Sequence, residues 1–438
     1  MKKKYLLNYI IDISNFIEKH IHNEEELTKK NYKKIYLSII KSQLIIKLFI
    51  SCHIIIYKIS TLFLKNKKIK LLFFQIFYKY NLFKFQKIVQ LTFALKQLSD
   101  GNEERLIKDT KYLNKFVENT YYENIIIGSG PSGCITGLKL SKAGFKTLII
   151  EKGNKYSLPE YKHPISEFQK KWKYAGISGA LGNYDFQYSS GECVGGGSEI
   201  NSGLYHELDA KFLNKLKINN QNNLLTMKDF EWEHLLSKNE DKKNSLEEKN
   251  LKNYFLQGAT KLKYKIENLK TFYKNEKKNS MSKTILEDAV KYGCELLSNT
   301  EVIDFKKEGE NWNINILFNR KKKKIFSKRL FLCCGAPYSL NLIKKSNYLK
   351  KNFNQDFHFH PMIKLIAKFP EKVNSITNTN VINTQISEFY PNYLFGNAAS
   401  NLEFLKIFAL GNNRVLKDVE NNYNYKTIFN VTYSLGTS

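Results

Sequence analysis

The stretch Tyr122-Glu123-Asn124-Ile125-Ile126-Ile127-Gly128-Ser129-Gly130-Pro131-Ser132-Gly133 decides the fold. Glu123 to Ile127 is a short β-branched run ended by Gly128, and it reads as a buried parallel strand. The glycines keep the spacing G-x-G-x-x-G, followed by a helical pattern from Pro131 to Ala143 that Gly144 closes. Lys146 to Ile150 is a second apolar strand, and Glu151 ends it. The whole is a β–turn–α–β unit of about 30 residues. In such a unit Gly128 permits the tight turn, Gly130 lets the backbone approach a pyrophosphate, and Gly133 lets helix and strand pack closely. Ser129, Pro131 and Ser132 fill the turn, and the pyrophosphate would rest on free N–H groups at the helix N-terminus. Glu151, with Lys152 after it, falls 23 residues beyond Gly128, where a carboxylate can accept hydrogen bonds from a ribose hydroxyl.

Working outward, residues 1–118 read as helices, with no proline before Pro131. Beyond the unit come a glycine-rich stretch (176–203) and a polar region (214–280). A helix from Met281 to Gly293 and a strand around Glu301-Val302-Ile303 follow. A hairpin of Trp312–Phe318 with Lys324–Leu332 comes next, and no internal repeat is visible.

The 438 residues carry 70 lysines and arginines against 41 aspartates and glutamates, a net charge of +29. Nearly all of the excess is lysine, which suits an AT-rich coding sequence better than a partner signal. It is concentrated, however, in residues 27–99, with fifteen lysines, thirteen aromatics and no acidic residue. Three readings are open for that strip: a helical extension packed on the main body with solvated lysines, an anionic membrane surface, and, least favoured, nucleic acid. The longest uncharged run there, Leu48 to Tyr57, is ten residues, against the ~20 needed to cross a bilayer. With no secretory signal pattern, the expectation is a cytoplasmic chain, peripheral on a membrane at most. Six scattered cysteines and eight histidines give neither a disulfide framework nor zinc spacing.

A second motif bears on the cofactor. Gly191-Glu192-Cys193-Val194-Gly195-Gly196-Gly197-Ser198-Glu199-Ile200-Asn201-Ser202-Gly203 resembles the G-G-S-S-x-I-N segment of the glucose–methanol–choline (GMC) oxidoreductases, with Glu199 where that family usually has a small residue. Met281 to Val302 looks like the family's helix and following strand, with Val302 at the adenine-contacting position. Leu332 to Ile343 looks like its second signature, in which Gly335 and Ala336 return a strand beside the flavin phosphates.

The resemblance covers about residues 120–210 and 281–370 and implies an α/β fold. A FAD-binding Rossmann-like domain (119–213 and 281–345) would carry an inserted mixed α+β substrate domain (214–280 and 346–438) and an N-terminal helical extension (1–118). It implies FAD as cofactor, held by Gly128 to Gly133, Glu151, Lys152, Gly196, Gly197, Ser198, Asn201, Val302, Gly335 and Ala336. The implied reaction is oxidation of an alcohol or sugar, with hydride passing to flavin N5 and electrons leaving to an unidentified acceptor.

Family members carry the proton-abstracting histidine near the carboxyl end, whereas here no histidine follows His360. The sequence therefore leaves His358 and His360, in Phe357-His358-Phe359-His360-Pro361, as weak candidates for the base, with His206 behind them. It also leaves open a truncated or degenerate flavin-binding chain without alcohol oxidation.

Overall fold

The computed structural model describes residues 118–157, 164–180, 186–206, 233–236, 245–274, 277–348, 358–374, 383–398, 402–409 and 413–433, with 107–108, 214, 436–437 and scattered helical positions between 6 and 95. Most of 27–99, and 215–232 of the polar region, lie outside the described residues.

The main elements run β1 (Tyr121–Ile127), α1 (Pro131–Lys142), β2 (Thr147–Ile150), α2 (Pro164–Lys171), α3 (Gly197–Ile200), α4 (Leu246–Lys261) and β3 (Ile266–Asn268). They continue with α5 (Ile285–Lys291), β4 (Glu295–Leu297), β5 (Thr300–Glu308), β6 (Asn311–Phe318), β7 (Lys321–Leu332) and α6 (Ala336–Lys345). The last are β8 (Met362–Lys368), β9 (Thr384–Ile386), β10 (Tyr393–Ala398), α7 (Leu402–Ala409), α8 (Asn413–Asn422) and β11 (Lys426–Tyr433).

The first sheet has the order β4-β2-β1-β7-β6-β5. Its strands β4, β2, β1 and β7 are parallel, and β7, β6 and β5 form an antiparallel ribbon. Successive strand residues face opposite layers, so Ile125 to Ile127, the inner half of β1, have to be apolar on both sides. Ile126 packs with Leu138 of α1 and Ile285, Leu286 and Ala289 of α5. Its neighbours Ile125 and Ile127 pack on the other side with Phe305, Ile314, Ile316, Ile325 and Leu342. Small residues bring α1 close to the sheet: a Cβ at Gly137 would lie 2.8 Å from Ile149 Cδ1.

The second sheet, β8-β11-β10-β9-β3, is antiparallel throughout. Strand β3 comes from the chain between β2 and β4 and the other four from after β7, so the chain crosses between the sheets three times. One face of this sheet, through Ile366 and Ile428, meets α7 and α8 in a core with Leu405, Leu416 and Val419. Leu6, Ile10, Ile35, Ile50, Phe85 and Val89 are buried in the same core. The described part of the N-terminal region thus packs its apolar face on the second sheet's helices.

One element departs from an all-helical reading of 1–118. Ile107–Lys108 pairs antiparallel with Tyr156–Ser157, a case of tertiary pairing deciding the conformation of two residues. Among the described residues no helix is long and apolar enough to cross a membrane.

Candidate dinucleotide-binding site

The turn after β1 is held by a buried carboxylate. Glu151 Oε2 accepts from the Ser129 N–H at 3.0 Å and the Ser129 hydroxyl at 2.8 Å, while Oε1 accepts from the Gly153 N–H at 2.8 Å. Burial raises the Glu151 pKa, and the three hydrogen bonds oppose that rise. The Ser129 hydroxyl in turn accepts from the Gly195 N–H at 3.2 Å. One serine therefore ties β2, the first glycine turn and the second glycine loop together. Beside them the Thr300 N–H donates to the Glu151 carbonyl at 2.9 Å, which sets the start of β5, and Val302 with it, alongside the end of β2.

The glycines of the turn fall into two kinds. Gly128 has φ +102°, and a Cβ there would overlap the Cys333 carbonyl oxygen at 2.5 Å. A Cβ at Gly133 would sit 1.9 Å from the Gly128 carbonyl oxygen. These two are glycine because protein backbone fills the space. Gly130 and Gly197 have ordinary backbone conformations and no protein atom within 4 Å of a would-be Cβ. Between them the two loops touch, since a Cβ at Gly196 would lie 3.0 Å from Gly130 Cα. No side chain caps the N-terminus of α1, and Pro131 and Ser132 there are exposed. Uncapped N–H groups and the helix dipole beside cleared space suit an anion.

The third segment joins the same place. The Cys333 N–H continues the ladder to the Ile127 carbonyl at 2.8 Å, and Gly335 turns with φ +86° into α6. Lys173 Nζ lies 3.1 Å above the Tyr338 ring and 3.9 Å from Glu192. Burial, reinforced by Lys152 and opposed chiefly by Glu192, brings the Lys173 pKa down to about 8.

Several expected contact residues are engaged within the protein. Lys152 pairs with Glu301 at 3.2 Å and Glu192 at 3.6 Å. The Ser198 hydroxyl donates to the Gly195 carbonyl at 2.7 Å and accepts from the Met281 N–H at 3.0 Å. Asn201 Oδ1 accepts from the Gly203 N–H at 3.1 Å. These side chains shape the loop and leave backbone facing the cleared space.

Beneath the loop lies a buried charge cluster that motif reading missed. Lys171 Nζ is 3.5 Å from Glu199 Oε2 and 3.5 Å from Glu167 Oε1, with the Lys171 side chain 1% exposed. Ser282 donates to the other oxygen of Glu199. Lys278, also buried, donates to the Asn201 carbonyl, and burial brings its pKa down to about 8. Glu199, the departure from the family pattern, was the available signal; nothing in the sequence pointed to Lys171.

Among the described side chains, His360 is exposed between the short strand His358–Phe359 and β8. His206 follows the glycine loop; desolvation lowers its pKa, with Glu267 opposing and His360 adding to the fall. The His358 side chain lies outside the described residues.

Fold and turn together define a Rossmann-like dinucleotide-binding domain joined to an antiparallel sheet. Residues 126–162 match the model of the NAD(P)-binding Rossmann-like domain. The chain resembles the GMC-type oxidoreductases: it is 25% identical over 299 residues to an uncharacterised GMC-type oxidoreductase of Sinorhizobium fredii, covering 62% of this chain and 58% of that protein. It is 24% identical over 290 residues to a long-chain-alcohol oxidase of Arabidopsis thaliana, covering 57% of this chain and 38% of that one. The chain thus spans roughly two fifths to three fifths of these relatives' lengths. In fold it is similar to the formate oxidase of Aspergillus oryzae, with a TM-score of 0.51 and 10% identity over 73% of each chain.

Proposed function

We propose that this chain binds FAD and serves an oxidoreductase that oxidises the CH–OH group of an alcohol or sugar. The observation that carries the reading is the convergence of three sequence-remote segments, 128–133, 195–203 and 333–336, around a floor whose Gly130 and Gly197 face cleared space. The residues present fit the cofactor: an uncapped helix N-terminus for its pyrophosphate, and glycine backbone for its flat ring system. Glu151 Oε1 accepts one hydrogen bond within the protein and keeps capacity for a ribose hydroxyl. A nicotinamide dinucleotide would use the first turn but leave the 195–203 loop without a role.

When bound, FAD supplies the two-electron redox chemistry. The chain's part is to hold and orient it. Gly128 to Gly133 would receive the pyrophosphate, with Val302, Gly335 and Ala336 as further residues that would line the cofactor. A substrate proton needs an acceptor, and His206 and His360 are the described imidazoles on the second-sheet side, His206 being biased toward its neutral, proton-accepting form.

The test is an absorption spectrum of the purified full chain, before and after incubation with FAD, followed by anaerobic titration with short-chain, long-chain and sugar alcohols. Flavin bands bleached by one of these alcohols support the full reading. Bands that none of them bleaches favour the second reading, a flavin-binding chain without alcohol oxidation. A chain that takes up no FAD contradicts both.

A further inference from the structure

Two described helical segments of the N-terminal region bury one face and expose large apolar side chains on the other. In helical residues 50–55, Ile50, His53 and Ile54 are at most 5% exposed, and they point toward the core shared with α7 and α8. On the opposite side Leu48 is 56% exposed and Ile55 58%, with the exposed Cys52 between them at i+4. A second helical segment repeats the arrangement. Phe74 and Phe77 pack against Phe85, with ring centroids 5.5 and 6.0 Å away, while Ile76, Lys79 and Tyr80 at i, i+3 and i+4 are exposed. His53 also meets Phe85, at 6.1 Å, so the buried sides of both helices converge on one ring and their other sides turn outward.

A solvated helix face is ordinarily polar, and single exposed leucines need no explanation. Here large apolar side chains stack along the outer face of two helices, in a stretch whose fifteen charged residues are all lysine. That combination is the signature of an interfacial helix: apolar groups enter the boundary between headgroups and acyl chains while lysines meet anionic headgroups. We propose that the outer face of the N-terminal helices, around Leu48, Cys52, Ile55, Ile76 and Tyr80, docks this chain on an anionic lipid surface. Nucleic acid fits less well, because the exposed groups among the described residues there are mostly aliphatic and offer few stacking planes. A second copy fits less well because it would bring two all-lysine stretches together.

The test uses the full chain and co-sedimentation with vesicles of phosphatidylcholine alone or carrying about one third phosphatidylglycerol. Binding should need the anionic lipid, weaken with added salt, and fall about tenfold in Leu48→Glu/Ile55→Glu. Circular dichroism and the melting temperature of that variant should match the parent, since both positions are exposed. A second measurement leaves the helix sequence intact. Cys52 is the exposed cysteine, so a polarity-sensitive thiol dye attached there should shift to the blue on anionic vesicles. Binding to both vesicle types alike, no binding, or no dye shift overturns the proposal. So does a concentration-dependent dimer that Leu48→Glu/Ile55→Glu abolishes while vesicle binding is absent. None of these readouts depends on FAD, so failure here and failure of the oxidoreductase reading are separable.

Discussion

Gly130 and Gly133 of the first turn separate two demands that a sequence motif merges. Gly133 has no room for a methyl group, since one there would meet the Gly128 carbonyl oxygen at 1.9 Å, so Gly133→Ala should fail to yield stable protein. Gly130 has room and an unstrained backbone, so Gly130→Ala should fold as well as the parent or gain about 0.4–1 kcal/mol through the unfolded state. The same substitution puts a methyl group into the cleared space and should weaken FAD binding at least about tenfold, read by fluorescence titration beside a thermal melt. Sequence reading assigned the two glycines these roles because the motif's spacing encodes them. It could not tell that the Ser198 and Asn201 side chains are engaged within their own loop, because which lone pair meets which N–H is decided by the folded loop. Lys278 carries a pH signature. Its pKa falls from 10.5 unfolded to about 8 folded, so the unfolded chain binds the extra proton in between and stability rises with pH across that window. The Lys278 share is read as the difference between the parent and Lys278→Met in denaturant titrations from pH 7 to 10, which should change by at most about 3 kcal/mol in favour of the parent as pH rises. Lys173 acts with the same sign in both chains, and the buried thiols of Cys134, Cys193 and Cys294, pushed up by burial, act with the opposite sign in both.

At the scale of elements, the β1–α1–β2 unit was legible because local signals agree: β-branched run, glycine turn, amphipathic helix, second apolar run. The strand β4 went unread because Glu295–Leu297 is three residues long and takes its conformation from pairing with β2. Strand β5 is nine residues where three were evident, since its outer half is charged and held by the ladder to β6. The prop beneath α3 is likewise tertiary. Lys171 and Glu199 are 28 positions apart and pair only because α2 and α3 are brought together. Removing one partner leaves a buried charge, so Lys171→Met should cost about 3–5 kcal/mol. The double variant Lys171→Met/Glu199→Gln should recover part of that loss, which a double-mutant cycle in urea reads directly. Additive losses would mean the two charges do not interact.

In the whole molecule, the N-terminal region and the second sheet's helices share one core, from Leu6 and Phe85 through Leu416 to Ile428. Deleting 1–118 would strip apolar cover from α7 and α8, so the truncated chain should aggregate or melt earlier than the parent. Leu416→Ala should cost about 2–5 kcal/mol and loosen both regions together, seen as parallel loss of hydrogen-exchange protection in the N-terminal helices and β11. The helical periodicity of the basic strip was visible in the sequence, whereas its docking partner was not, because α7 and α8 lie some 300 residues further along the chain. All three scales meet in the claim that remote segments assemble one flavin cradle. Its most direct test is the affinity of the full chain for FAD, wild type against Gly130→Ala, at matched thermal stability. The account predicts tight stoichiometric binding by the wild type and a loss of at least about tenfold in the variant. Equal affinity for the two chains, or no binding by the wild type, would contradict it.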